Sequence, residues 1–446
     1  MAKVDISLAD VYVAYRKAKA EAFFESTHFH ALTFTRYEQN LHRNLVALHK
    51  RLTTGDQDWT VDPQFVGDYA YLPKSIDTTA WSLAEQGHFR ALNPRDEWSR
   101  QYSNTGKLAN ASLRLVIRPT VDFQVFSALW ILKVGYLYDS CLDRNLSFAN
   151  HVRTIARDGE REVNLAAQGL FAPYFSAYKL WREKGLDAIE RSVKERKSIL
   201  AITMDIERFY HRVAPSFMLR NEFLRRLSLA LTPGQAKLTR LLLTAIEHWY
   251  RRTPDYFERR QGAIPVGLSA SKVIANVLLA EFDSLVFDKL APIHYGRYVD
   301  DVFLVLPADR DADEAVTVIE RMAAKLAPHI VTRPNQDAPP SLVVRLPYAK
   351  DSELVFAASK QKIFALSSEH GEDLVRHIRN QIRQQSSEYR LLPAVPNTAV
   401  DMAARALLAT PDASLQVDAL RKADVVSVRR LGFSLLLSDI ETYAAD

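Results

Sequence analysis

His294-Tyr295-Gly296-Arg297-Tyr298-Val299-Asp300-Asp301-Val302-Phe303-Leu304-Val305-Leu306 sets two adjacent carboxylates between an aromatic residue and an unbroken apolar run. The run 302–306 consists of strand-forming residues and reads as a buried strand. Two charges at its mouth are costly, because desolvating one carboxylate beside another needs cations or hydrogen bonds to compensate. A solvated turn is the ordinary home of an Asp-Asp pair. The rest of the chain decides between that and a functional use.

The chain has 446 residues, 48% hydrophobic and 10% aromatic. That is enough for two or three units with their own cores, and it excludes disorder on a large scale. The net charge of +5 arises from 58 basic and 53 acidic residues rather than from a tail. A local positive channel and a nucleic-acid partner fit this balance, although charge alone is weak support. The single cysteine, Cys141, rules out an intrachain disulfide and reads as a core residue, so a reducing cytoplasm is expected. The first residues lack a basic start and apolar block, so no secretory signal is expected. The longest apolar stretch, 123–142, carries Lys133 and Asp139 and is too interrupted to span a bilayer.

Helical spacing runs over 8–25, with Val11, Tyr15, Ala18 and Phe23 on or near one stripe, and over 37–52, through Leu41, Leu45, Leu48 and Leu52. Between them, His28 and His30 lack a nearby third ligand, which argues against a metal pair. Residues 56–79 contain Pro63 and Pro73 and read as loop or short irregular strand. Residues 111–119 alternate as a strand bearing Arg114 and Arg118, either a solvent-facing edge or a pair of phosphate-gripping guanidiniums. The stretch 121–142 reads as a long apolar helix or helix pair in the core, and 160–197 as helical with a charged, solvated end. Ser198 to Asp205 is a strand with Leu200, Ile202 and Met204 on one face, ended by Asp205, which is a helix cap or a metal ligand. Helices are expected at 215–229 and 233–251. The small-residue loop Gln261-Gly262-Ala263-Ile264-Pro265-Val266-Gly267-Leu268-Ser269-Ala270-Ser271 then leads into an apolar helix, 273–290. A flat ligand or phosphate can approach such a loop closely, though a plain connector has the same composition. After the Asp-Asp hairpin, 311–326 reads as helix, 330–332 as strand, 335–341 as a Pro-rich loop, and 353–357 and 361–366 as strands flanking Ser359-Lys360. Residues 371–446 are helical in pattern.

Taken in order, a strand ending in Asp205 with Tyr210 five residues on, a Pro265/Gly267/Ser271 loop entering a helix, the Tyr298-Val299-Asp300-Asp301 hairpin and Lys360 together resemble the reverse transcriptases over roughly residues 37–366. The resemblance implies an α+β fold of the right-hand polymerase type. Residues 1–197 would form an N-terminal helical region and fingers, 198–370 the palm with an antiparallel sheet, and 371–446 a helical thumb or the start of a helical-repeat region. It implies that Asp205, Asp300 and Asp301 bind Mg²⁺, with Mn²⁺ as the alternative, for transfer of deoxynucleotides. Arg114 would bind the incoming triphosphate, and Tyr210 would stand as a steric gate under the sugar. Gly267 and Ser271 would line the nascent base pair, and Tyr298 would lie beside the primer end. Lys360 would serve the pyrophosphate leaving group, with Lys362 as a close rival.

The chain departs from the common Pro-Gln-Gly loop at Val266 and from the following proline at Lys272. Such departures, and the stretch 382–393, resemble the defence-associated group that includes the abortive-infection reverse transcriptases. That second likeness implies deoxynucleoside triphosphates and RNA or DNA as substrates, synthesis with or without a template, and a non-coding RNA or partner protein of a defence system. A group II intron or retron enzyme, and a nucleic-acid-binding scaffold without turnover, are the alternatives. The primer, including any of the 18 tyrosines, and the oligomeric state, homo-oligomers included, stay open.

Overall fold

In the computed structural model, which describes residues 5–366 apart from 26, 28–29, 55–57, 77–110, 158–159, 309–314 and 335–339, the chain opens with three helices. These are α1 (Leu8–Phe24), α2 (Ala31–Glu38) and α3 (Leu41–Thr53). Ser7 and Asp10 form a reciprocal capping box that starts α1. Val11, Ala14, Tyr15 and Ala18 are buried from α1, and Leu45, Leu48 and Leu52 from α3, as their spacing requires, but Phe23 is out of phase with the α1 stripe, which Ala22 continues, and is exposed. His30 is buried and bonded to Gln124 at 3.1 Å; His28 lies outside the described residues.

The reading of 56–79 as loop or short irregular strand needs correction. β1 (Gly67–Ile76) is a ten-residue strand paired antiparallel with β2 (Ala111–Pro119). The register slips between Pro73 and Ser75. A proline lacks the ladder N–H and is accommodated at such an irregularity. α4 (Val121–Trp130), capped by the Thr120 hydroxyl, passes through a π-helical turn at Ile131–Gly135 and continues to Ser140. It is buried on nearly every side, which accounts for its apolar composition.

A second correction falls in 160–197. β3 (Thr154–Arg157) and β4 (Glu160–Val163) form a hairpin, and the helix α5 starts only at Tyr174 and runs to Lys194. Pro173 forces the residue before it out of helical geometry, so the helix cannot extend upstream.

The remaining strands and longer helices are β5 (Ile199–Asp205), α6 (Pro233–Arg251), α7 (Ser269–Leu278), α8 (Ala280–Leu290), β6 (His294–Tyr298), β7 (Asp301–Pro307), α9 (Ala315–Leu326), β8 (Ile330–Arg333), β9 (Ser341–Val344), β10 (Leu354–Phe356) and β11 (Lys362–Leu366). The 215–229 helix is a 3-10 turn, Pro215–Leu219, followed by the short helix Asn221–Arg226. The 273–290 helix begins earlier, at Ser269, and breaks at Leu279. β9 lies at the end of the expected Pro-rich loop.

Four strands form one antiparallel sheet in the order β11-β5-β7-β6, and β10-β9-β8 form a separate three-stranded sheet. Strand alternation divides the four-stranded sheet's side chains between two cores. Leu200, Ile202, Met204, Val302, Leu304 and Leu306 join the main core, while Ile199, Ala201, Phe303 and Val305 pack with Trp181, Ile189 and Val193 of α5. The described residues are therefore α+β in class. None of their helices is long and apolar enough to cross a membrane. Residues 371–446 lie outside the described residues.

Phe223 anchors the main core. It is fully buried, with ring centroids of Tyr348 at 4.7 Å, Phe217 at 4.8 Å and Tyr138 at 6.2 Å. Phe223→Ala removes the shared ring of this stack and leaves a cavity, so urea unfolding is expected to show a loss of about 3–5 kcal/mol.

Candidate active site

The site is assembled by register. Asp205 is the last residue of β5 and lies directly opposite Asp301, the first residue of β7; Asp301 in turn faces Tyr298 at the end of β6. Only Val299 and Asp300 are left to turn the hairpin. Three carboxylates carried by two strands and the turn beside them are thus drawn to one end of the sheet. The turn is tight enough that Val299 has φ +58°, a conformation that is rare for a β-branched residue. Its two carbonyls are held. Asp300 O accepts from the Ile206 N–H at 3.3 Å, and Val299 O accepts from Arg297 Nη1 at 2.8 Å.

Lys360 donates to Asp205 Oδ2, while Asp205 Oδ1 is buried without a hydrogen-bond partner. Asp300 retains some exposed surface, yet burial pushes its carboxyl well above the usual range. Asp301 and Asp205 add to that shift, and Lys360 partly offsets it. Like charges gathered in a desolvated pocket resist ionisation and raise the affinity for a cation.

Tyr210 stands in the short helix Phe209–Arg212, and its carbonyl accepts from the Ile264 N–H at 2.9 Å, which ties it to the 261–268 loop. Its phenol is shifted upward by burial first, then by the charges of Asp300 and Glu25, with Arg114 opposing them. Tyr210, Asp300 and Arg114 therefore share one electrostatic neighbourhood. Arg114 is brought there by β2, which docks on the same loop: Val116 bridges Val266, and Ile117 N–H donates to Val266 O at 3.0 Å. Gly267 has φ +98°, a conformation L side chains rarely adopt, and it is half-buried.

Ser271 is placed differently. It is 1% exposed inside the first turns of α7, with its hydroxyl unpartnered, whereas Ser269 keeps accessible surface. Tyr298 is half-buried and leans on α5: its hydroxyl donates to Tyr174 O at 3.3 Å and its ring meets Tyr178 edge-on at 5.1 Å. Lys362 is exposed at the head of β11, opposite Thr203, and Lys360 is the lysine that reaches Asp205.

Sequence reasoning missed the support beneath the hairpin, namely Arg297, Asn276 and Asp283. Of these only Asn276 gave a signal, as one polar residue in the apolar run 273–279. Asn276 and Asp283 lie seven residues apart across α7 and α8, and Arg297 shares a strand face with Tyr295.

Among the described residues, no set of three or more His, Cys, Asp and Glu side chains stands close enough to enclose a metal ion. Mg²⁺ does not require such a cage, since it binds through one or two carboxylates and keeps water and phosphate oxygens as its other ligands. The oxygen-only donor set, the orphaned Asp205 Oδ1 and the ammonium drawn onto Oδ2 fit a hard divalent cation.

No family model matches the chain, and no curated protein matches it.

Proposed function

We propose that the chain is a right-hand polymerase of the reverse-transcriptase type, adding deoxynucleotides to a 3'-hydroxyl. The observation that carries this reading is the register that sets Asp205 opposite Asp301, with Asp300 in the turn beside them and Lys360 on Asp205. The sheet would be the palm and the β1–β2 pair part of the fingers.

Asp205, Asp300 and Asp301 would hold Mg²⁺ or Mn²⁺. Bound there, such an ion would supply Lewis-acid stabilisation of the charge on a transferring phosphoryl group. The chain's own groups do the rest. Arg114 grips the triphosphate, for which a planar guanidinium is suited. Gly267 lets the loop approach the nascent base pair without a side chain, and the Tyr298 ring borders the primer end. Lys360 lies within reach of the departing pyrophosphate, which it neutralises or protonates.

The second likeness extends the proposal to antiphage defence, with RNA or DNA as the nucleic-acid partner. The test is incorporation of labelled deoxynucleotides by the purified chain with Mg²⁺ or Mn²⁺, in parallel with RNA, DNA and no added template. Labelled polymer that disappears on chelation supports the reading; none under any of these conditions overturns it.

A steric gate gives a further expected result. Tyr210→Ala opens room beneath the sugar, and ribonucleotide incorporation relative to deoxynucleotide is expected to rise by roughly 10- to 100-fold, in line with the selectivity that a shaped pocket provides. Unchanged sugar selectivity in competition assays removes Tyr210 from this role.

A further inference from the structure

Arg297 is an unusual residue for the strand that leads into two aspartates. It is 0% exposed, beneath the hairpin, and all five of its guanidinium N–H groups are used. Nε donates to Asp283 Oδ1 at 2.6 Å and Nη2 to Asp283 Oδ2 at 2.6 Å, a bidentate pair. The second Nη2 hydrogen goes to Asn276 O at 3.1 Å. Nη1 donates to Asn276 Oδ1 at 2.9 Å and to Val299 O at 2.8 Å.

The partners are themselves fixed. Tyr295 Oη donates to Asp283 Oδ1 at 2.6 Å, Ser147 Oγ donates to Asn276 Oδ1 at 2.9 Å, and Asn276 Nδ2 donates to Ala149 O at 2.8 Å. The backbone of Arg297 is tied to the segment 146–148 on both sides, N–H to Leu146 O at 2.7 Å and O from Phe148 N–H at 2.9 Å. A network with every member satisfied has one arrangement and transmits it rigidly.

Four of the five donors anchor the guanidinium, and the fifth reaches Val299, the residue in the turn with φ +58°. A β-branched residue in that region relaxes toward ordinary backbone unless its surroundings over-determine it. The positive charge is matched by Asp283 in the bidentate pair. Geometry, and not charge donated to Asp300, is therefore what the arginine supplies.

We propose that Arg297, held by Asp283 and Asn276, is a positioning residue. It braces the Val299 carbonyl so that the strained turn presents Asp300 and Asp301 opposite Asp205 in the arrangement that binds divalent cations. This inference rests on the polymerase reading, since it assigns a purpose to that site's rigidity. Groups that orient metal ligands have measurable effects on affinity even though they never touch the ion.

The test uses the full chain and Mn²⁺ alone, with affinity read by electron paramagnetic resonance and folding by circular dichroism and thermal melting. Two forms remove the brace. Arg297→Lys keeps the charge but lacks the fork that serves Asp283, Asn276 and Val299 together. The combined Arg297→Met, Asp283→Leu and Tyr295→Phe form removes the buried charges together, leaving neither ion unpaired, and so remains foldable where Arg297→Lys does not. In each folded form, Mn²⁺ is expected to bind roughly 10- to 100-fold more weakly than in the parent.

Val299→Gly separates bracing from general support, because glycine takes positive φ without strain. In that background, removing the brace is expected to cost less than about 10-fold. A folded brace-less form with parental Mn²⁺ affinity overturns the proposal, as does a loss that is equal with and without the Val299→Gly substitution. Failure of the polymerase reading looks different: the parent chain then takes up no Mn²⁺ that Asp300→Ala abolishes, and the brace proposal falls with it.

Discussion

Asp300→Ala is expected to lower deoxynucleotide incorporation by about 10³-fold or more while leaving the chain folded. The size follows from the role. Lewis-acid stabilisation of a transferring phosphoryl group is worth several kcal/mol, about 4, and each 1.4 kcal/mol is tenfold in rate. The Asp300 carboxyl is pushed toward its neutral form, by burial first and then by Asp301 and Asp205. In the absence of a cation it is a liability to the fold, so its loss is expected to leave thermal stability unchanged or to raise it. Activity and stability thus move apart, the pattern expected of a functional site. Primer extension with Mg²⁺ and with Mn²⁺, beside a melting curve, checks both halves. Full synthesis by Asp300→Ala removes the hairpin from the chemistry. Lost synthesis together with lost folding would instead make Asp300 a structural residue.

The sheet and its carboxylates were legible because alternation fixes them. In 199–205 and 301–307, a slip of one residue would exchange the two cores, so hydrophobic pattern and register determine each other. Once β5 and β7 pair, Asp205 must meet the hairpin. The small-residue loop 261–271 leading into a helix was legible on similarly local grounds, and within it Gly267 takes φ +98°. Less legible were features that depend on distant partners. β1 hides behind Pro73, since a tolerated bulge cannot be told from a loop without its partner β2. Ser271 and Ser269 are equivalent in composition, and only helical phase buries one and leaves the other partly accessible. Arg297 reads as a charge in a strand until Asp283 and Asn276, 14 and 21 positions away, close on it.

Lys360→Met is the second large effect, and it also decides between two lysines that sequence spacing could not separate. Met keeps an apolar stem of the same four-atom length, with sulfur in place of Cδ, and lacks the ammonium. A general acid contributes typically 10²–10⁴-fold, so the lower half of that range, about 10²-fold, is expected in the rate of single-nucleotide addition. Lys362 heads an exposed position opposite Thr203, and Lys362→Met is expected to change the rate by less than about 3-fold, as for a surface charge with weak coupling. The contact with Asp205 makes the outcome informative in a second way. Lys360 occupies Oδ2 of a carboxylate whose other oxygen has no partner, so in the cation-free chain the ammonium supplies the countercharge. Removing it frees both oxygens. Mn²⁺ is therefore expected to bind Lys360→Met at least as tightly as the parent, even while catalysis falls. Weaker Mn²⁺ binding in Lys360→Met would show that the lysine orders Asp205 rather than serving the leaving group. A larger rate loss in Lys362→Met than in Lys360→Met would reverse the assignment. Rapid-quench kinetics on both variants, with metal titrations on each, separates these results, because a group that acts on the leaving pyrophosphate lowers the chemical step without weakening the metal site.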